Sequence, residues 1–364
     1  INTLVLQSPR NETFLDKFPK DVLEDPLQLK SISMAYASLG ELASFAVSGS
    51  RFLRKLTLSA CGISALLQNA ISGLENLQKI DLSHNQISHI TVGALKDLPA
   101  LKQLIIAHSQ VKDIEPHAFV ELRSLEKLSL KDNDLTEVDN LLFTGLEKLQ
   151  EVELNFNYIQ KLDDDTFMDL PNLRRVDLAG NHLTVVTDRT FRGMRSLVHL
   201  SLNYNNIKHL PTAFLKDSPD LKELNLERNM LESVTLDTLR GLRAIRSNFV
   251  LNLKSNPLNC SCDLFYLSEL RKRRMGAMEN DLEDPPEFRN LQCRQRMSAH
   301  LEPRLLDEMF VINGCQNDST LSEHIIDVVV TAGADAMLLP SRTLVVLSQL
   351  SIALVWCLVV RQLL

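Results

Sequence analysis

A leucine returns every 24 residues through most of this chain, at Leu29, Leu53, Leu77, Leu101, Leu125, Leu149, Leu173, Leu197 and Leu221. Behind each runs the same phrase, as in Leu77, Ile80, Leu82, Asn85, Ile87, Ile90, Leu95 and Leu98, or Leu173, Val176, Leu178, Asn181, Leu183, Val186, Phe191 and Met194. A fixed period of this length makes each unit one coil of a stacked array. The alternation around Val176 and Leu178 buries one face of a short strand and leaves the other wet. A lone coil cannot bury enough apolar surface to offset its ordering entropy, so coils must pile up and merge their leucines into one core. The expected architecture is an α/β solenoid with a parallel sheet.

One polar residue is built into the phrase: Asn85, Asn133, Asn157, Asn181, Asn205, Asn229 and Asn256 stand where the chain turns inward. A buried amide needs partners, so each side chain is expected to bond backbone groups of its own and the next coil. Ala37, Cys61 and Ser109 hold this position in three coils. Cys61 reads as a small buried group with a weak donor. Phe119, Phe143, Phe167 and Phe191 recur at one position on the side opposite the strands, with Phe214 one residue early, and predict an aromatic spine. After Leu221 the phase slips by three residues before Leu251, Leu253 and Asn256 resume it.

The length of 364 residues would otherwise suggest about two globular domains, a prior that the repeat overrides. Ile1, Leu4 and Leu6 already match the strand, so residues 1–255 read as about eleven coils, the first one longer. No amino-terminal cysteine cap precedes them, and the chain is expected to begin inside a longer precursor. The net charge of -7 is modest and mixed in sign, which argues against a nucleic-acid surface.

Residues 256–315 read as a cap. Cys260 and Cys262 follow the last repeat directly, then an aromatic and leucine-containing stretch, then Cys293 and Cys315. Four cysteines allow three connectivities, and the C-x-C spacing argues against zinc, so no metal and no cofactor are expected. Asn11, Asn259 and Asn317 each open a glycosylation triplet outside the regular coils. The run Arg271 to Arg274 is read as the solvated face of a cap helix, offset by nearby acids. Residues 316–343 read as a stalk and 344–364 as a hydrophobic anchoring tail. The small residues from Gly333, then a spacer and the apolar run Leu344 to Val360, suit a glycolipid-anchor signal with Gly333 as the attachment candidate. A single short span is the alternative.

The L-x-x-L-x-L-x-x-N-x-L-x-x-L phrase and its C-x-C flank make residues 29–315 similar to ectodomains of the extracellular leucine-rich repeat family. That family includes Toll-like receptors, Slit-like guidance proteins, matrix proteoglycans and lipid-anchored insect adhesion proteins. The resemblance implies a horseshoe with its parallel sheet on the concave side, a disulfide-bonded C-terminal cap pairing Cys260 with Cys293 and Cys262 with Cys315, and protein ligands. Unlike Toll-like receptors, the chain is expected to carry no signalling domain after the hydrophobic run.

No nucleophile elbow, H-E-x-x-H, P-loop or dinucleotide fingerprint occurs, so no enzyme is expected. His84 and His108 share one position on adjacent coils, about 5 Å apart by strand spacing; they are read as solvated side chains and not as ligands. Among outward strand positions, Lys127, Glu151, Arg175, His199 and Glu223 alternate in sign and need no partner. Glu153 and Asp177 are adjacent like charges that invite a cation or basic partner unless Arg175 and water screen them. Tyr36, Phe156 and Tyr204 fall at the last outward position of their strands. Exposed aromatics beside charge make a binding hot spot, and the expected ligand patch is Phe156, Tyr204, His199, Asn203 and Arg228, with Glu153 and Asp177. The expected function is a cell-surface recognition module for adhesion or ligand capture. It would sit on the extracellular face of the plasma membrane and bind a protein ligand or surface receptor, with no nucleic acid; self-association as a homodimer stays open. A secreted matrix-organising protein is the alternative.

Overall fold

The computed structural model describes residues 3–7, 16–19, 23, 28–235, 237–240, 242 and 249–259, and the backbone of 292–297 and 300–305. Each repeat contributes one short strand to a single eleven-stranded sheet. Its strands run from Thr3–Gln7 through Ser31–Ala35, Lys55–Ser59 and Lys79–Asp81 to Glu223–Asn225 and Val250–Asn252, all parallel to their neighbours. Register follows the period, with Glu151 opposite Arg175 and Arg175 opposite His199. The first step is longer, Thr3 facing Ser31, and the last is longer too, Glu223 facing Val250. Both irregular spacings expected at the ends of the array are therefore absorbed outside the strands, and the sheet passes through them unbroken.

The leucines that set the period are core. Leu53, Leu77, Leu101, Leu125, Leu149, Leu173, Leu197 and Leu221 are wholly buried, and they belong to one continuous cluster reaching from Phe18 to Leu258. The aromatic spine is present from Phe143 to Phe214, while Phe119 is buried in the core without a ring pair among the described residues. The Phe143 and Phe167 rings stack at 5.5 Å, Phe167 and Phe191 at 6.1 Å, and Phe214 meets Phe191 edge-on at 6.2 Å, all within the range of favourable aromatic pairs.

The expected helical half of an α/β solenoid is not what the chain builds. Among the described residues there is no α-helix; Asp237–Leu239 forms a 3-10 turn. The side opposite the main sheet is made of single turns and two- to three-residue parallel strand pairs, such as Val47–Ser48 with Ile71–Ser72 and Ile71–Ser72 with Leu95–Lys96. Between Glu115 and Leu125 the bonds run from Ala118 N–H to Glu115, Val120 to His117, Leu122 to Phe119 and Leu125 to Leu122. Each closes one turn three residues back, and no run of i to i−4 bonds accumulates to repay helix nucleation. The buried residues Phe119, Leu122 and Leu125 fall at that same three-residue spacing. Packing thus favours separate tight turns over a helix.

The asparagines are buried and bonded as required, but toward the preceding coil and not the next. Asn181 Nδ2 donates to the carbonyls of Leu178 in its own coil and Leu154 in the coil before, both at 3.0 Å, while its Oδ1 accepts the Ile159 N–H at 3.0 Å. Asn157, Asn205, Asn229 and Asn256 repeat the pattern. The direction is set by the residue just before each asparagine, which takes a left-handed conformation with φ between 52° and 66° from Tyr36 to Arg228. Its own N–H goes forward, as from Phe156 to the Ala179 carbonyl at 2.8 Å, leaving the amide to reach back. Cys61 acts as the weak donor expected of it: its Sγ lies 3.4 Å from the Met34 carbonyl, the same relative position that the asparagine amide reaches. Burial raises the thiol pKa, so the donor proton is retained. With Cys61 supplying no side-chain acceptor, the Leu39 N–H bonds the Cys61 carbonyl instead, at 2.8 Å.

Cys293 lies in Gln292–Met297, which pairs antiparallel with His300–Leu305. Cys260, Cys262, Cys315, Asn11, Asn317, Arg271 to Arg274, Gly333 and the apolar tail lie outside the described residues. No helix among the described residues is long and apolar enough to cross a membrane.

Replacing Asn181 with Ala should strand three buried backbone groups and lower stability by on the order of 3 kcal/mol, read as a drop in urea midpoint. Cys61→Ala, which removes weak sulfur bonds only, should cost distinctly less. Equal effects would mean that the amide is not what couples the coils.

Candidate functional site

The outward strand positions form a charged grid whose members mostly satisfy one another. Lys127 Nζ reaches Glu151 at 3.2 Å and Glu153 at 2.6 Å. Arg175 lies 3.6 Å from Glu151 and 3.9 Å from Asp177, and His199 bonds Glu223 at 2.9 Å. Glu153 and Asp177 are opposite one another as expected, but their screening is unequal. Burial, the largest single effect, would raise the Glu153 pKa, yet the Lys127 bond and charge together with hydrogen bonds from Ser129 and Glu151 outweigh it and hold the carboxyl below its ordinary value. Asp177 is raised by burial and by the Glu153 charge, which the Ala179 N–H and Arg175 only partly oppose. Lys127 is therefore the counter-ion of Glu153, while Arg175, the partner expected from the sequence, offsets the Asp177 charge in part.

Beside this grid the left-handed residues line up along one rim: His84, His108, Asp132, Phe156, Gly180, Tyr204 and Arg228. The aromatics among them are not at the last outward position of their strands. Phe156 lies three residues past the end of Glu151–Glu153, in the turn. The turn itself favours Gly, Asn or Asp, since other side chains crowd the backbone there at a cost of about 1 kcal/mol or more. Local geometry therefore does not account for aromatic rings at Tyr36, Phe156 and Tyr204, which are 43%, 53% and 47% exposed.

Contacts along the rim join these side chains into a ridge. The His84 and His108 rings stack in parallel at 4.5 Å, and His108 Nδ1 meets Asp132 Oδ2 at 2.6 Å. Lys131 sits 5.6 Å from the centre of the Phe156 ring, and Arg228 caps Tyr204 at 5.0 Å, both within cation–π range. Phe156 folds across the next coil. A Cβ on Gly180 would lie 2.6 Å from Phe156 Cδ1, so the one glycine in this stretch of the rim makes the seat for the ring. Two residues further on, Tyr158 and His182 pack at 5.7 Å and widen the exposed surface, and Met230 is exposed two residues beyond Arg228. No group of three or more His, Cys, Asp or Glu among the described residues is placed to hold a metal.

The expected patch therefore divides. Phe156, Tyr204 and Arg228 come together on the ridge. Asn203 adjoins it, its carbonyl accepting the Gly180 N–H at 2.9 Å. His199, Glu153 and Asp177 belong to the strand grid. Tyr158, His182, Lys131 and Gly180 were missed. The signal for them was the phase of the repeat, because they fall beside the asparagine position and not on the strand.

The leucine rich repeat profile matches residues 51–111, 99–157, 147–207 and 197–258, together more than half of the chain. The chain belongs to the leucine-rich repeat family. A search of curated proteins by sequence finds no match. Among solved structures, the array is similar to the protein of the TLR13–ssRNA13 complex, with a TM-score of 0.51 and 24% identity over 76% of this chain. The chain spans 46% of the length of that protein. This likeness concerns the leucine-rich repeat fold.

A pH scan of urea unfolding checks the grid. The lowered Glu153 pKa contributes stability above the ordinary glutamate range that is lost as pH falls through the lowered value. Lys127→Met should therefore be destabilised relative to the parent chain at neutral pH, with the gap closing in acid. For Asp177, raised in the folded chain, ionisation costs stability. Asp177→Asn should gain on the parent as pH rises from the ordinary aspartate range to neutrality.

Proposed function

We propose that the chain is a non-catalytic recognition module that captures a protein ligand on the ridge formed by Phe156, Tyr158, Tyr204 and Arg228 and on the adjoining strand grid. The observation that carries this reading is the placement of exposed rings at left-handed turn positions that the backbone gives no reason to fill with aromatics. Rigid, half-exposed aromatics capped by cations combine apolar area with low ordering cost, the composition of binding hot spots. The neighbouring grid, with its charges paired internally, suits specificity and register more than affinity.

The finer assignments rest on the family resemblance and the flanking sequence. In this reading residues 1–255 are the solenoid, curved as a horseshoe, and residues 256–315 its cap, closed by Cys260–Cys293 and Cys262–Cys315. Residues 316–343 are a stalk, and the tail directs a glycolipid anchor near Gly333. Asn11, Asn259 and Asn317 carry glycans; Asn259 is exposed at the end of the array. The protein then stands on the outer face of the plasma membrane as an adhesion molecule or co-receptor.

Screening the full chain against a panel of extracellular protein domains tests the binding surface. Partners should be lost by more than tenfold in affinity on Phe156→Ala with Tyr204→Ala, with thermal unfolding nearly unchanged, and unaltered affinity would move the site elsewhere. Mass spectrometry of the mature C-terminus tests the anchor. A glycolipid on a small residue near Gly333 is expected, and recovery of a secreted chain still carrying Trp356 would favour the matrix alternative.

A further inference from the structure

The charge pairing that satisfies the central strands stops at the early coils. Lys55 and Lys79 stand directly opposite each other in adjacent strands. The residues just before the strands stack in the same way: the Arg54 N–H bonds the Lys30 carbonyl at 2.8 Å, Gln78 bonds Arg54 at 2.8 Å and Lys102 bonds Gln78 at 2.9 Å. Arg51, three residues before Arg54 in the same coil, is a further exposed cation. Of these, Lys102 has an acidic partner, Glu126 at 2.8 Å. Lys30, Arg51, Arg54, Lys55 and Lys79 have no ion pair within 4.0 Å among the described residues. Glu75 is the acid on that edge and pairs with none of them, while Asp81 is engaged by Ser83 at 2.6 Å.

We propose that Lys30, Arg51, Arg54, Lys55 and Lys79 form a binding stripe for a linear sulfated polysaccharide. Like charges directly opposite on neighbouring strands, as Lys55 and Lys79 are, destabilise a sheet, and five cations on three stacked strands, about 10 Å across by the strand spacing, repel one another until a polyanion neutralises them. Three of the five are lysines, compact point charges that favour sulfate-dense chains over planar, bidentate carboxylate recognition. The stripe lies on the outward positions of the strands and the residues just before them, where the side chains offered are mainly cations. Single-stranded nucleic acid calls for successive stacking platforms along the cations, and Phe52 is the exposed ring at this edge. The stripe is separate from the Phe156 ridge, several coils away, so a glycan and a protein ligand can be held together.

Heparin is the probe. The full chain should be retained on immobilised heparin at physiological salt despite its net charge of -7. Lys55→Glu with Lys79→Glu should abolish that retention and reduce the slope of log Kd against log salt by about two, about one for each cation lost. Lys148→Glu with Lys208→Glu, the same charge change elsewhere, should retain binding, and circular dichroism should show all forms folded. No retention of the parent chain, equal loss in the control variant, or tighter binding of polyglutamate or polyuridylate than of heparin would each overturn the proposal. Binding of the protein partner by the Lys55 and Lys79 variant keeps this outcome distinct from that of the ridge.

Discussion

The register of the stack depends on the coils that carry the asparagine being bonded both ways at the inward turn. The left-handed residue sends its N–H forward to the next coil, as from Tyr204 to the Glu227 carbonyl at 2.8 Å. The asparagine that follows sends its amide back, as from Asn205 to the Leu178 carbonyl at 2.9 Å. Backbone groups at a buried turn would otherwise be unpaired at considerable cost. Because both bonds leave from adjacent residues, the repeat cannot slip by one position without breaking them. The leucine core, which is non-directional, supplies the attraction between coils, and the amide supplies the register.

That clamp also shapes the surface along the rim. Holding the residue before the asparagine position in the left-handed region throws its side chain onto the rim, so whatever occupies the position is displayed at the strand spacing. In coils where histidines or an aspartate stand there, the side chains stack and bond along the rim. Where rings stand there, Lys131 and Arg228 cover them and Gly180 yields space to Phe156. Structure and display come from the same turn, which is why a ridge of exposed rings adds little to what the solenoid already requires.

The strand grid shows the other consequence of strict register. Equivalent positions meet one another, so the order of charges along the sequence becomes an order of contacts in space. From Lys127 to Glu223 that order alternates closely enough for internal pairing. At Lys55 and Lys79 it does not. The difference between a self-satisfied surface and an unsatisfied one thus lies in a few substitutions at a 24-residue spacing.

Much of this was legible in the residues. The period defined the strands, the core leucines, the parallel register and the aromatic spine, because stacking identical units turns sequence spacing directly into contact. The burial of the asparagines followed from their place in the phrase. The direction of their bonds did not, since it depends on the φ of the preceding residue, and nothing in Phe156 or Tyr204 announces a left-handed backbone. The helical side was also misjudged, because apolar residues at Phe119, Leu122 and Leu125 suit either a helix or a series of tight turns until the available space is known. What the sequence determined alone was the pile of coils and the columns it creates. Which columns share an edge, which charges are satisfied and where the rings lie was decided only in three dimensions, because those depend on backbone handedness at the turns and on which neighbour is small enough to yield.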